Sequence, residues 1–318
     1  MQIKLVAERS AGLCGIPINS EVKQYYETIF EIVIKNCLKD LNIDCLEEII
    51  ITDSFVKRVK QFQYEHGMCE EVTDNELGTA FGKTIIAKDT GKYHIFLDAN
   101  IATYLLDDKL FEIYCHKDIE IKQDAILKRD QALNLLAHEL SHVDYYSTVE
   151  TRTLLPHNNG FDRFIEEQAF IMFSEYYACR RAYEFFSTSD RTTAKQTILQ
   201  IESKASEVVD SYRRKQIHAK DFLLQFQQWL QMSLNITCYL LGEALFEHEV
   251  PDLSECRIQS IVDDIDYVFD ALYSCAREEK RILMPISVRK YILEYYQQFG
   301  VDFDFDDDGV SIHLLDYE

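Results

Sequence analysis

Apolar positions at helical spacing give the chain its first readable element. Val22, Tyr25, Tyr26, Ile29, Ile32 and Val33 recur every three or four residues. That pattern predicts an amphipathic helix over 18–41, with Ser20 placed to cap it. LEEIIITD (46–53) is a short β-rich run, and SFVKRVKQFQYEHG (54–67) reads as a second helix stopped by Gly67. GKTIIAK (82–88) and KYHIFLDA (92–99) flank the turn sequence DTG, which predicts a β-hairpin. The first 125 residues therefore look mixed.

From about 124 onward the spacing is helical almost to the end. DAILKRDQALNLLAHELSHVDYYS opens this part, and LLPHNNG (154–160) is a loop broken by Pro156 and Gly160. Residues 161–186 form a long helical pattern, and STSDRTTA (187–194) is a break that starts another. Three or four more helices follow to about 298, around breaks near 247–254 and 283–287. The tail VDFDFDDDGVSIHLL (301–315) alternates as two short strands around an acidic turn. The expected class is α+β, with a small antiparallel or mixed sheet in a core over 1–187. A mostly helical region over 188–318 follows and ends in a short β-hairpin.

Composition narrows this picture. Gly (10) and Pro (4) are scarce in 318 residues, which favours long helices, and the 47% apolar content is enough for a packed core. The net charge of −22 repels phosphate backbones, so no nucleic-acid partner is expected. The densest basic stretch, SYRRKQIHAK (211–220), lies in a helical pattern and reads as a solvated helix face. The nine cysteines are scattered, odd in number and without a C-x-x-C pair, so reduced thiols are expected rather than a disulfide framework. Lys4, Glu8 and Arg9 interrupt the N-terminus where a signal peptide needs an apolar run, and no apolar run approaches the ~20 residues of a membrane span. The expectation is a cytoplasmic protein with no membrane partner.

LLAHELSHVDYY (135–146) carries the candidate chemistry. Residues i and i+4 of a helix are separated by about 40° of rotation and ~6 Å of rise. His138 and His142 thus present imidazoles one turn apart on one face, able to ligate one Zn2+ ion. Glu139 is turned partly away, too far round for an ideal ligand but within reach of a metal-bound water as general base. The alternative is an ordinary helix that holds two histidines. Ala132, Leu135, Leu136, Leu140 and Val143 give this helix an apolar stripe.

A zinc site needs a third protein ligand, with water in the fourth position if it is catalytic. An extended three-histidine motif is excluded, because it needs Gly at 145 and His at 148 where the chain has Tyr145 and Thr148. In the downstream helix, Glu166 and Glu167 lie near Arg163 and read as surface charges. Glu175 has Ile171, Met172, Ala178 and Cys179 as helical neighbours and Ala182 one turn further. A carboxylate in such surroundings needs a cationic partner. A metal would serve; an ion pair with Arg180 or Arg181, or a position at the rim of the core, is the alternative.

HELSH (138–142) followed by Glu175 in SEYYACRRA resembles the gluzincin branch of the zincin metallopeptidases. The Glu175, Ala178, Ala182 spacing is similar to the second helix of the IrrE/ImmA-like members. The likeness covers about residues 82–186. It implies a zincin-like core with a small sheet whose edge strand runs beside a peptide or protein substrate, the KYHIFLDA hairpin being the candidate. It also implies zinc held by His138, His142 and Glu175, and Glu139 as general base on a zinc-bound water. The chain departs from the thermolysin-like pattern at Cys179, where an acidic residue would stand four after the ligand glutamate. The gap from His142 to Glu175 is also long for the smallest members.

The resulting expectation is a zinc metallopeptidase (a hydrolase) whose helical C-terminal part shapes substrate access. Candidate transition-state stabilisers are His157, Tyr145, Tyr146 and Tyr177. The competing expectation is a non-enzymatic interaction or regulatory protein that uses the same scaffold, with its acidic helical part binding a partner. Asp304, Asp306, Asp308 and Gly309 match the opening of an EF-hand loop, but its twelfth position is Leu315, so a hairpin turn is the better account. His94, alternating with Phe96, reads as structural.

Overall fold

The computed structural model describes residues 2–6, 12–13, 16–17, 19–68, 74–75, 78–105, 120–154, 160–186, 193–247, 252–306 and 309–315. Their strands are β1 (Gln2–Val6), β2 (Gly12–Leu13), β3 (Ile16–Pro17), β4 (Leu46–Thr52), β5 (Asp74–Asn75), β6 (Gly78–Thr79), β7 (Gly82–Ile86), β8 (Tyr93–Asp98), β9 (Glu150–Thr153), β10 (Arg281–Met284), β11 (Val301–Asp306) and β12 (Gly309–Leu314). Their α-helices are α1 (Ser20–Asn36), α2 (Phe55–Glu65), α3 (Ala99–Ala102), α4 (Glu120–Thr148), α5 (Gly160–Phe185), α6 (Ala194–Arg213), α7 (Ala219–Glu247), α8 (Gln259–Glu278) and α9 (Ser287–Gln297). The class is α+β and predominantly helical. None of these helices is long and apolar enough to cross a membrane.

The chain forms two compact units that are not consecutive halves. One comprises Met1–Thr148 with Arg181–Ser189, the other Val149–Arg180 with Asp190–Glu318. Helix α5 contributes to both. Residues 187–192, around the break read at 187, lie outside the described residues.

In the first unit a mixed sheet has the order β1-β4-β8-β7. β1 and β8 run parallel to β4, and β7 pairs antiparallel with β8. Alternation along the strands separates two apolar layers. Ile49 and Ile51 of β4, with Tyr93, Ile95 and Leu97 of β8, join Val22, Tyr26, Phe30 and Val33 of α1 and Ala132, Leu136, Ala137, Leu140 and Val143 of α4. Ile50, Ile85 and Phe96 turn to the other face and pack with Phe55, Val59 and Phe62 of α2. Both faces are covered, which explains the uninterrupted apolar run Ile49–Ile51 in β4.

Two details differ from expectation, and a third, the structural reading of His94, agrees with it. Asn19, not Ser20, caps α1: its side chain accepts from Val22 N at 2.9 Å, and Ser20 is the first helical residue. The 82–99 hairpin does supply a sheet edge, but the edge strand is β7, and KYHIFLDA forms the interior strand β8. His94, at 7% exposure, contacts Glu48 Oε1 through Nδ1 at 3.2 Å and packs its ring on Phe62, on the α2 side of the sheet.

In the second unit, α6 and α7 pack through Ile198, Ile201, Ala205, Val208 and Val209 of the first, and α7 buries Phe222, Phe226, Leu230, Leu234 and Cys238 at four-residue spacing. The basic stretch 211–220 is not one helix face. α6 ends at Arg213, Lys215 takes a positive φ of 57°, and α7 starts at Ala219. Such a left-handed residue is the ordinary way to stop a helix. The buried Glu202 carboxylate of α6 accepts from Arg257 N and Ile258 N at 2.9 and 3.0 Å, satisfying main-chain donors just before α8. β9 and β10 form a parallel pair, and β11 and β12 an antiparallel hairpin with Asp306 opposite Gly309. The acidic tail is thus two strands in backbone, as expected; Asp308 lies outside the described residues.

Candidate metal centre

Helix α4 is fixed by what it buries. Ala132, Leu136, Ala137, Leu140 and Val143 are at most 2% exposed against the sheet and α1. The buried Asp144 carboxylate accepts from Asn42 N at 2.9 Å, tying the helix to the segment after α1. Ser141 points its hydroxyl back to Ala137 O at 2.7 Å, so it consumes its own polarity within the helix. With that face inward, the remaining positions carry His138, Glu139 and His142.

The two imidazoles meet as the i, i+4 spacing predicts. His138 Nε2 and His142 Nε2 lie 3.0 Å apart, and the ring planes stand at 88°. Two nitrogens bound to one tetrahedral ion at 2.0–2.1 Å would be about 3.3 Å apart. The pair therefore fits a shared cation with little adjustment. His142 is buried and His138 half-buried.

Helix α5 brings the third donor. Its last turn is packed into the first unit, where Ala182 is fully buried with Leu136, Ala137 and Leu140, and Phe186 O accepts from Asn134 Nδ2 at 2.7 Å. The helix is unbroken, so Glu175 stands seven residues, or about 10 Å, before Ala182 on the same rod. One ligand atom from each of His138, His142 and Glu175 lies within 4.8 Å of the others. This group of two imidazoles and one carboxylate could bind a metal ion.

The two arginines that follow Glu175 each have a carboxylate close by. Arg180 contacts Asp270 Oδ1 at 2.5 Å and Tyr176 Oη at 3.2 Å, with its guanidinium 4.0 Å from the Tyr273 ring centre. Arg181 is buried, pairs with Glu184 and lies over the Phe185 ring. Beside Glu175, burial and then the glutamate's own charge push the Cys238 thiol well up, which keeps it a neutral thiol rather than a thiolate.

Glu139 is 4% exposed and faces the edge strand β7. The Thr84 hydroxyl stands 2.7 Å from Glu139 Oε2 and 2.9 Å from Glu139 O, and its single proton serves one acceptor at a time. Gly82, one side chain back along the same strand face, lies against the same carboxylate. A β-carbon built there would be 2.6 Å from Oε1. Sequence reasoning missed both residues. The only signal was a glycine opening a β run, and the run gave no hint of which helix it would meet.

The described candidate stabilisers differ in exposure. Tyr146 is about half exposed, and its ring is nearly parallel to that of His142 at 6.0 Å and to that of Tyr93 at 6.4 Å. Tyr145 is buried with its ring edge-on to Tyr146 at 5.1 Å. Tyr177 is fully buried beside Phe173 and Tyr273. His157 lies outside the described residues.

Comparison with protein-family models, curated proteins and solved structures finds no match to the chain. The resemblance to zincins therefore stands on HELSH and the Glu175, Ala178, Ala182 spacing.

Proposed function

We propose that the chain is a gluzincin-type zinc metallopeptidase with a zincin-like core, holding zinc on His138, His142 and Glu175 and hydrolysing peptide bonds with Glu139 as general base. The observation that carries this reading is the convergence of those three donors, one from each of three positions on two helices, within 4.8 Å. Two imidazoles and a carboxylate are a donor set suited to a catalytic zinc with one open position. When bound, zinc would supply Lewis acidity, polarising the scissile carbonyl and acidifying the attacking water.

The chain's own residues do the rest. Glu139 takes a proton from the attacking water and delivers it to the leaving amine. Its burial against β7 restricts the carboxylate to few orientations, which favours a defined proton path. Among the described candidate stabilisers, Tyr146 is exposed beside His142, whereas Tyr145 and Tyr177 are buried, so Tyr146 is the better placed to meet a substrate. The substrate is a peptide or protein, and the charge of −22 argues against nucleic acid. Cys37, Cys45, Cys179, Cys238, Cys256 and Cys275 are free thiols, which suits a cytoplasmic protein.

The alternative, a non-enzymatic interaction protein on this scaffold, is favoured by Cys179 where thermolysin-like enzymes carry an acidic residue. Glu139→Gln separates the two. Hydrolysis of a peptide library by the zinc-loaded protein, abolished by this change with zinc retained, supports the enzyme. A zinc-loaded protein that cleaves nothing supports the alternative.

A further inference from the structure

We infer that Thr84 is a positioning residue for Glu139: its hydroxyl, on edge strand β7, sets the rotamer of the carboxylate. This rests on the metallopeptidase reading and adds a residue to it. The geometry has two independent parts. Thr84 Oγ1 is 2.7 Å from Glu139 Oε2, an ordinary hydrogen-bond distance for a hydroxyl and a carboxylate. Gly82 leaves no room on the other side: Oε1 fills the space a β-carbon would take, 2.6 Å away, with Leu135 Cδ1 at 2.9 Å. One carboxylate oxygen is thus held by a donor and the other is seated against bare main chain.

A glutamate has three rotatable bonds, and an unrestrained one would sample orientations that miss the reacting water. Burial alone does not choose among them; a directed hydrogen bond does. Glu139 O, 2.9 Å from Thr84 Oγ1, competes for the same proton; the Oε2 contact is the shorter of the two at 2.7 Å, and either bond keeps the hydroxyl against α4. Threonine's branched β-carbon suits a strand and leaves its hydroxyl few rotamers. The same face of β7 thus meets Glu139 twice, through Gly82 and through Thr84, as strand alternation requires.

The test uses the full-length, zinc-loaded protein and its Thr84→Val, Thr84→Ser and Glu139→Gln variants, titrated calorimetrically with acetohydroxamic acid, a metal chelator that also carries a proton for a neighbouring carboxylate. Zinc content is measured alongside. The expectation is equal zinc in all four. Binding should weaken about tenfold or more in Glu139→Gln and in Thr84→Val, and stay within about threefold of the parent in Thr84→Ser. Thr84→Ala replaces Thr84→Val should the latter lose its cooperative melt. If Thr84→Val binds like the parent while Glu139→Gln weakens, Thr84 does not position the base and the metallopeptidase reading stands. If Thr84→Ser is as weak as Thr84→Val, packing rather than the hydroxyl is responsible and the inference fails. If Glu139→Gln itself changes nothing, Glu139 does not face the metal, and the base assignment and this inference fail together.

Discussion

Gly82 and Glu139 approach so closely that a β-carbon on the first would stand 2.6 Å from Oε1 of the second. The atom in the way ends a flexible side chain, so Gly82→Ala is expected to displace the carboxylate rather than unfold the strand. Zinc binding should survive, because neither histidine is touched. Peptide hydrolysis should fall by about a hundredfold, the scale of a 1 Å misplacement at a reacting centre. Steady-state kinetics with parallel metal analysis checks this; unchanged kcat/KM would mean that the carboxylate has another productive seat.

Glu139→Gln should separate metal from chemistry. The amide keeps the shape and can still meet Thr84, but it cannot accept the water's proton. Zinc content should match the parent while hydrolysis falls by at least about a hundredfold. Residual activity near the parental level would remove Glu139 from the mechanism.

Gly242 makes a different kind of close contact. A β-carbon there would lie 2.8 Å from Tyr176 O and 3.1 Å from Arg180 N, both main-chain atoms of α5. Main chain cannot rotate away, so Gly242→Ala should destabilise the fold by about 1–3 kcal/mol, in the range of overpacked cores. Urea unfolding measures it. Gly160, whose β-carbon would meet nothing within 4 Å, is the control: its change to alanine should leave the midpoint nearly unmoved.

The pair of Glu48 and His94 predicts an acid-dependent term. The His94 ring beside it holds the Glu48 carboxyl below its ordinary value of 4.5, with burial opposing and Lys4 and Arg58 helping. A carboxylate whose folded pKa is depressed contributes stability that is complete above 4.5 and is lost as pH falls through the lowered value. Glu48→Gln should therefore be less stable than the parent near pH 5 to 6, and the gap should close in stronger acid. Denaturation midpoints across that range give the readout; a gap independent of pH would assign the effect to packing.

How much of this was legible in the residues depended on range. α1, α2, β4, the β7–β8 hairpin and the tail hairpin each carry their own period and turn signals, and each was readable. β1, β9 and β10 were not: each is short, includes polar residues, and pairs in parallel with a strand far away in sequence; the two-residue pairs β2–β3 and β5–β6 are too short to show a period. At the site, the i, i+4 spacing placed His138 and His142 together on helical geometry alone. Glu175 was singled out through its apolar neighbours; Met172, Ala178 and Cys179 are buried, whereas Ile171 and Glu175 itself are half-buried. Thr84 and Gly82 stayed hidden: whether an edge strand touches Glu139 is decided by tertiary packing, 55 residues away in the case of Thr84. Within the 82–99 hairpin, only sheet order makes β7 the edge strand and β8 an interior one, which no local pattern decides.

The central claim is a three-donor metal centre on two helices. Elemental analysis of the purified, tag-free protein, beside its His142→Ala and Glu175→Ala forms, tests it most directly. Near-stoichiometric zinc in the parent, lost from both variants while their folded signal persists, is the predicted result. A parent that takes up no zinc after reconstitution, or a Glu175→Ala protein that keeps it in full, would contradict the centre.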